Sequence, residues 1–69
     1  MTDSVYKIIE LVGTSSESWE KATANAVARA SSSLRDLRVA EVTKLDITVV
    51  EGKITAYRAR VALSFKYEG

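Results

Sequence analysis

The last part of the chain constrains the fold most strongly. Across residues 54–67 the side chains alternate in character, which predicts a β-strand with one apolar face and one mainly polar face. The apolar positions are Tyr57, Ala59, Val61, Leu63, Phe65 and Tyr67. A strand of this length spans about 45 Å. A single helix of about twenty residues is only about 30 Å long. Part of the apolar face therefore needs cover from outside the chain.

One helix and two further strands are predicted before this strand. Residues 5–12 are β-branched and apolar and end at Gly13, so they indicate a first strand, and residues 39–50 indicate a second. Between them, one face repeats at helical spacing and is made mostly of small residues. This stripe consists of Trp19, Ala22, Thr23, Ala26, Ala30, Ser33, Leu34 and Leu37.

The helix ends can be placed only approximately from the sequence. Residues 14–17 match the S/T-x-x-E capping box, in which Ser15 and Ser16 are equally able N-caps. Arg35 and Arg38 suit the negative end of the helix dipole, so we expect the helix to continue as far as these residues.

A hairpin is predicted to join the last two strands. Gly52, within residues 50–53, can adopt the positive φ that such turns require. A three-residue turn places Leu45 opposite Tyr57, whereas a two-residue turn places Leu45 opposite Arg58. We favour the longer turn because it pairs two apolar side chains.

Composition indicates that the chain depends on copies of itself. A domain of 69 residues buries little surface, and disulfides, metals or oligomerisation usually compensate. The sequence has no Cys and no His, which excludes disulfides and ordinary zinc sites. Self-association is the remaining source of stability.

Charge and hydropathy disfavour several classes of function. The net charge of +1 gives no strong field for nucleic acid or a lipid surface, although Arg29, Arg35, Arg58 and Arg60 leave a basic nucleic-acid module as an alternative. No apolar run approaches ~20 residues and no signal peptide is recognisable, so we expect a cytoplasmic protein without membrane partners. Without His or Cys, an enzyme is not expected.

The opening residues resemble those of a known family. Residues 5–15 read V-Y-K-I-I-E-L-V-G-T-S and are similar to the dodecin pattern V-Y-K-x-x-E-x-x-G-T-S. An Ala-Arg-Ala run at residues 28–30, Glu41-Val42, Tyr57 and a final V-x-L-x-F continue the resemblance. It implies a single dodecin-like domain over residues 1–69, of α+β class. The expected fold is β-α-β-β, a three-stranded antiparallel sheet wrapped on one helix, assembled as a hollow homododecamer.

The resemblance also implies a function. Dodecins bind flavins (FMN or riboflavin) in pairs near two-fold axes and store them without catalysis. Three positions depart from the flavin-binding pattern: Val39 stands in place of a Trp, Arg58 in place of a Gln, and Asp46 in place of a basic residue. Because Val39 offers no aromatic face for stacking, flavin binding of the usual kind is not expected.

The candidate ligand-binding residues are these three positions, Val39, Asp46 and Arg58, together with Lys44 and Arg29. Arg58 and Lys44 are interpreted either as an anion-accepting pocket or as a charged surface paired with Asp46 or Glu41 of a neighbouring subunit. Arg29 is also interpreted as a subunit contact.

Metal binding is a separate hypothesis. Glu41 and Asp46 offer carboxylate oxygens, which Ca²⁺ and Mg²⁺ prefer, and symmetry would repeat them where subunits meet. The sequence therefore predicts a shell that stores a small ligand, or alternatively a flavin-free variant that binds metal ions or anions at subunit interfaces.

Overall fold

The computed structural model describes residues 3–67, which form three strands and one helix. In chain order these are β1 (Tyr6–Ser15), α1 (Trp19–Ser31), β2 (Leu37–Val50) and β3 (Lys53–Lys66). The strands form one antiparallel sheet in the order β1-β3-β2. The predicted β-α-β-β fold is confirmed.

The core lies between the helix and the central strand β3. Its buried members are Ala22, Ala26 and Ala30 of the helix and Ala59, Val61 and Leu63 of β3. These β3 positions are alternate residues, as the period of two predicts. Because the fully buried residues of the helix are all alanines, the helix lies close to the sheet but buries little apolar area of its own.

Gly13 of β1 permits this close approach. A Cβ atom at this position would collide with the carbonyl oxygen of Ala22 and crowd the Cβ of Ala26. The side-chain amide of Asn25 also donates a hydrogen bond to the carbonyl of Thr14 (2.9 Å). The end of β1 is thereby fixed beneath the first half of the helix.

The helix begins later than the sequence predicts. Ser18 is the N-cap, and its hydroxyl accepts a hydrogen bond from the backbone N–H of Lys21 (3.0 Å). The prediction of Ser15 or Ser16 was wrong. The Ser15 hydroxyl instead accepts from the N–H of Glu17 (2.9 Å) in the connection that precedes the helix.

The helix also ends earlier than predicted, after 13 residues. The backbone N–H groups of Ser33 and Leu34 both donate to the carbonyl of Ala30, which closes the last turn. Asp36 then adopts a positive φ of 55°, and Leu37 pairs with Phe65 as the first residue of β2. Arg35 and Arg38 therefore lie outside the helix. Arg29 is the basic residue of its last turn.

The hairpin register also differs from the prediction. The turn has two residues, Glu51 (φ 51°) and Gly52 (φ 78°), between the pair Val50 and Lys53. A register shift between Thr48 and Val49 then moves the strands by one position. Leu45 consequently lies opposite Ala59, and neither predicted pairing occurs.

The described chain is long and thin. It measures 53 × 20 × 17 Å, and its radius of gyration is 14.2 Å, against about 11 Å for a compact chain of this length. Its accessible surface is 5221 Å², whereas a folded 7.6 kDa monomer exposes about 4,300 Å². Within residues 3–67, no helix is long and apolar enough to cross a membrane.

Candidate functional site

Most of the predicted site residues lie together on the outer face, defined here as the side of the β2–β3 ribbon away from the helix. Strand register establishes this placement, because directly paired residues share a face of the sheet. The pairs are Val39 with Ser64, Glu41 with Ala62, Lys44 with Arg60, and Asp46 with Arg58. The residues between them on β3 are the buried core positions Ala59, Val61 and Leu63.

Asp46 and Arg58 form an ion pair across this face. The Arg58 Nε atom lies 2.7 Å from Oδ1 of Asp46, and Nη2 lies 3.3 Å from Oδ2. The hydrogen bond to Asp46 and the negative charge of the Asp46 carboxylate both raise the pKa of Arg58 above the ordinary value for an arginine. Two guanidinium donors are thus engaged within the chain. Of the two interpretations of Arg58, the charged surface with salt bridges describes this geometry. The acidic partner of Arg58 belongs to the same chain, however, and not to a neighbouring subunit.

Trp19 supports the backbone of Asp46 from the other side of the sheet. Its indole N–H donates a hydrogen bond to the Asp46 carbonyl (3.1 Å). Its ring meets that of Tyr57 edge to face, with centroids 5.1 Å apart and planes at 73°. Sequence reasoning placed Trp19 on the helix but missed this contact, because nothing in the local spacing indicates which strand the ring would reach.

Comparison of the sequence with models of known protein families shows to which family the chain belongs. The Dodecin family model matches residues 5–68. The chain belongs to the dodecin family. The calcium dodecin of Mycobacterium tuberculosis is 53% identical over 64 residues, covering 91% of this chain and 89% of that protein. The dodecin of Thermus thermophilus is 41% identical over 64 residues, covering 93% of each.

Solved dodecins share the fold over nearly their whole length. Dodecin from Streptomyces coelicolor aligns with a TM-score of 0.92 at 35% identity, covering 100% of this chain and 99% of the other. The crystal structure of the Mycobacterium tuberculosis protein, described as calcium chelating with a novel calcium-binding site, gives 0.83 at 50% identity. That alignment covers 94% of this chain and 93% of the other.

The position where flavin-binding dodecins are expected to carry a Trp is open in this member of the family. Val39 is 56% exposed on the outer face. It lies opposite Ser64, which offers no stacking surface either. Neither Val39 nor Ser64 gives a planar ring an aromatic face on which to stack.

Carboxylates do not converge within one chain of this dodecin. Residues 3–67 contain no group of three or more acidic side chains placed to hold a metal ion. Glu41 and Asp46 are five positions apart on β2, and both oxygens of Asp46 accept hydrogen bonds from Arg58. A Ca²⁺ ion takes six to eight oxygens, and the acidic side chains of residues 3–67 do not form a carboxylate cage that would supply most of them.

Arg29 stands apart from the other candidates. It is exposed in the last turn of α1, and the helix packs on the opposite side of the sheet from the outer face. Its role as a ligand group stays a prediction, separate from the cluster on β2 and β3.

Proposed function

We propose that this dodecin-family chain is the subunit of a hollow homododecameric shell that stores a small ligand and does not act as an enzyme. One observation carries the proposal: the accessible surface exceeds that of a compact monomer by about 900 Å². This excess is close to the ~800 Å² that each partner buries in a stable interface. Large apolar side chains on all three strands contribute to it, including Ile8, Leu45 and Ile54.

Among small ligands, we propose a divalent cation, with Ca²⁺ first, in preference to a flavin. Val39 supplies no aromatic face, and the Arg58 guanidinium is paired with Asp46. A relative that is 53% identical is named calcium dodecin. Glu41 forms no ion pair within residues 3–67, and copies of it around a symmetry axis would supply carboxylate oxygens that one chain does not bring together.

An anion is the second candidate, because Lys44 and Arg60 lie directly opposite each other on the outer face. Like charges at such a cross-strand pair repel, and a bound anion would relieve that repulsion. Neither cation forms an ion pair with an acidic side chain inside residues 3–67.

The choice between a cation and an anion is tested by titrating chelator-treated protein with Ca²⁺ and, in parallel, with phosphate, and by measuring the melting temperature in each titration. We expect millimolar Ca²⁺ to raise the melting temperature, since a ligand at 100 times its Kd stabilises by about 2.7 kcal/mol. Glu41→Gln should abolish that rise, whereas the control Glu51→Gln, in the hairpin turn, should retain it. A yellow protein with a flavin absorbance band, or a melting temperature indifferent to Ca²⁺, would contradict the cation proposal. A rise with phosphate alone would favour the anion.

A further inference from the structure

Two positive side chains face each other on the outer face, at the place where β2 changes its register against β3. Lys44 lies directly opposite Arg60, and both residues are exposed. We call these two residues the cation pair. The Cβ atoms of such cross-strand neighbours are about 4.5–5.5 Å apart, so like charges at these positions repel each other. Within residues 3–67 neither cation forms an ion pair with an acidic side chain. The fold therefore holds two positive charges together without a contacting carboxylate.

A register shift in β2 creates the cation pair. Over residues 39–42 the strands β2 and β3 pair in one register, and continuing that register would place Thr43 opposite Arg60. It would also turn Lys44 to the helix side, opposite the buried Ala59. Instead Thr43 has no partner on β3, and its hydroxyl donates a hydrogen bond to the carbonyl of Arg60 (3.2 Å). Irregularities of this kind are frequent next to functional sites, where they redirect a side chain. Here the shift replaces an uncharged neighbour of Arg60 with a second cation.

The surroundings of the cation pair limit what can bind to it. On the side of the hairpin, Arg58 is the next outer-face residue of β3, and its charge is offset by Asp46. On the other side, Glu10 and Glu41 lie in one row across the sheet, because both pair with Ala62. Neither glutamate forms an ion pair within residues 3–67. An anion at the cation pair therefore has a neutral ion pair on one side and is repelled by carboxylates on the other.

We propose that the cation pair binds a compact oxyanion with two negative charges, namely a phosphate ion or the phosphoryl group of a phosphate monoester. The proposal rests on the anion candidate of the proposed function and deepens it by naming the class of ligand. Two charges on the ligand balance the two cations. The guanidinium of Arg60 can donate two parallel hydrogen bonds to a tetrahedral oxyanion, and the ammonium of Lys44 adds a compact positive charge. The carboxylates of Glu10 and Glu41 disfavour a long polyanion, because it would extend over them.

The melting temperature distinguishes a binding role of Lys44 from a structural one. Without a bound anion, the repulsion within the cation pair opposes folding. Lys44→Gln removes this repulsion, so the variant should melt at a higher temperature than wild type in chelator-treated buffer without phosphate. Millimolar phosphate should then raise the melting temperature of wild type and leave that of the variant unchanged. A side chain that only supports the fold would give the reverse, a lower melting temperature on replacement, and this result would overturn the proposal.

Phosphorus NMR of inorganic phosphate measures the binding itself, at a constant ionic strength set with NaCl. Lys44→Gln should weaken phosphate binding about tenfold, as expected for the loss of one hydrogen bond between charged groups. The matched control Lys53→Gln, which removes an exposed lysine at the hairpin, should bind phosphate within about twofold of wild type. Glu41→Gln should instead strengthen binding, because it removes a repelling carboxylate. Equal weakening by Lys44→Gln and Lys53→Gln, or a rise in melting temperature with chloride that matches the rise with phosphate, would overturn the proposal.

Glycerol phosphate in a parallel titration separates the two sources of the phosphoryl group. Tighter binding of glycerol phosphate than of phosphate identifies the ligand as a phosphate monoester, and the reverse order identifies it as the free ion. A wild type that assembles and responds to Ca²⁺ but not to phosphate would overturn the anion site and leave the rest of the proposed function standing. Single chains that bind phosphate at the cation pair would overturn the shell and leave the anion site standing.

Discussion

The guanidinium of Arg58 donates two hydrogen bonds to the carboxylate of Asp46, from Nε at 2.7 Å and from Nη2 at 3.3 Å. Both residues occupy positions where the resemblance to flavin-binding dodecins implies ligand contacts. Here they contact each other instead. The ion pair therefore changes what the outer face can recognise, because it engages two of the five N–H donors of the Arg58 guanidinium.

We expect the ion pair to contribute modestly to stability and to depend on salt. Both side chains are partly exposed, and exposed pairs are weakened by solvent and by ions. Asp46→Asn should lower the melting temperature at low ionic strength. The difference from wild type should shrink at 1 M NaCl, where the screening length is about 3 Å.

The control for this measurement is Glu10→Gln, which removes a carboxylate that forms no ion pair within the described residues. Its melting temperature should stay close to that of wild type at both salt concentrations. All samples need the same protein concentration and chelator, since assembly and metal both shift the melting temperature. An Asp46→Asn deficit that persists undiminished at 1 M NaCl would show that the pair is not the cause.

A second prediction concerns flavin recognition. The double variant Val39→Trp, Arg58→Gln restores an aromatic face and an amide at the two positions that depart from the flavin-binding pattern. We expect riboflavin affinity to rise at least tenfold, equivalent to about 1.4 kcal/mol, as measured by fluorescence titration. Val39→Trp alone, which keeps the ion pair with Asp46, should gain less. A double variant that binds riboflavin no better than wild type would refute this assignment of the two positions.

A third prediction concerns the contact between β1 and the helix. In Gly13→Ala the added Cβ would meet the backbone of Ala22, so the helix must move away from the sheet. Overpacking of this kind costs about 1–3 kcal/mol, measurable as a lower denaturant midpoint. Gly52→Ala is the comparison: nothing lies within 4 Å of its added Cβ, and only the positive φ is unfavourable. If the two changes destabilise equally, the close approach at Gly13 is not limiting.

The sequence predicted the strands and the core of this fold better than it predicted the helix ends. Alternation along β3 correctly identified Ala59, Val61 and Leu63 because the core faces one side of a regular strand. The helical spacing, however, continues through Leu34 and Leu37 beyond the true end at Ser31. Both leucines do contact the core, but from the connection and from β2, so their apolar character was informative and their spacing was not.

The sequence indicated which residues to consider as candidates for the site, but it did not indicate which of them contact one another. Register shifts at Val42/Lys44 and Thr48/Val49 decide which side chains face each other, and strand sequences carry no clear signal for such irregularities. The expected pairing of Leu45 with Tyr57 failed because the turn has two residues instead of three and because the strands shift register at Thr48/Val49. The shift at Thr48/Val49 brings Asp46 opposite Arg58, which turns two separate ligand candidates into one ion pair.

Sedimentation velocity of the purified protein at about 1 µM tests the central claim most directly, namely that the chain cannot enclose its own apolar surface. Twelve chains of 7.6 kDa predict one species of about 90 kDa. A single stable species of 7.6 kDa, folded and monomeric at that concentration, would contradict it.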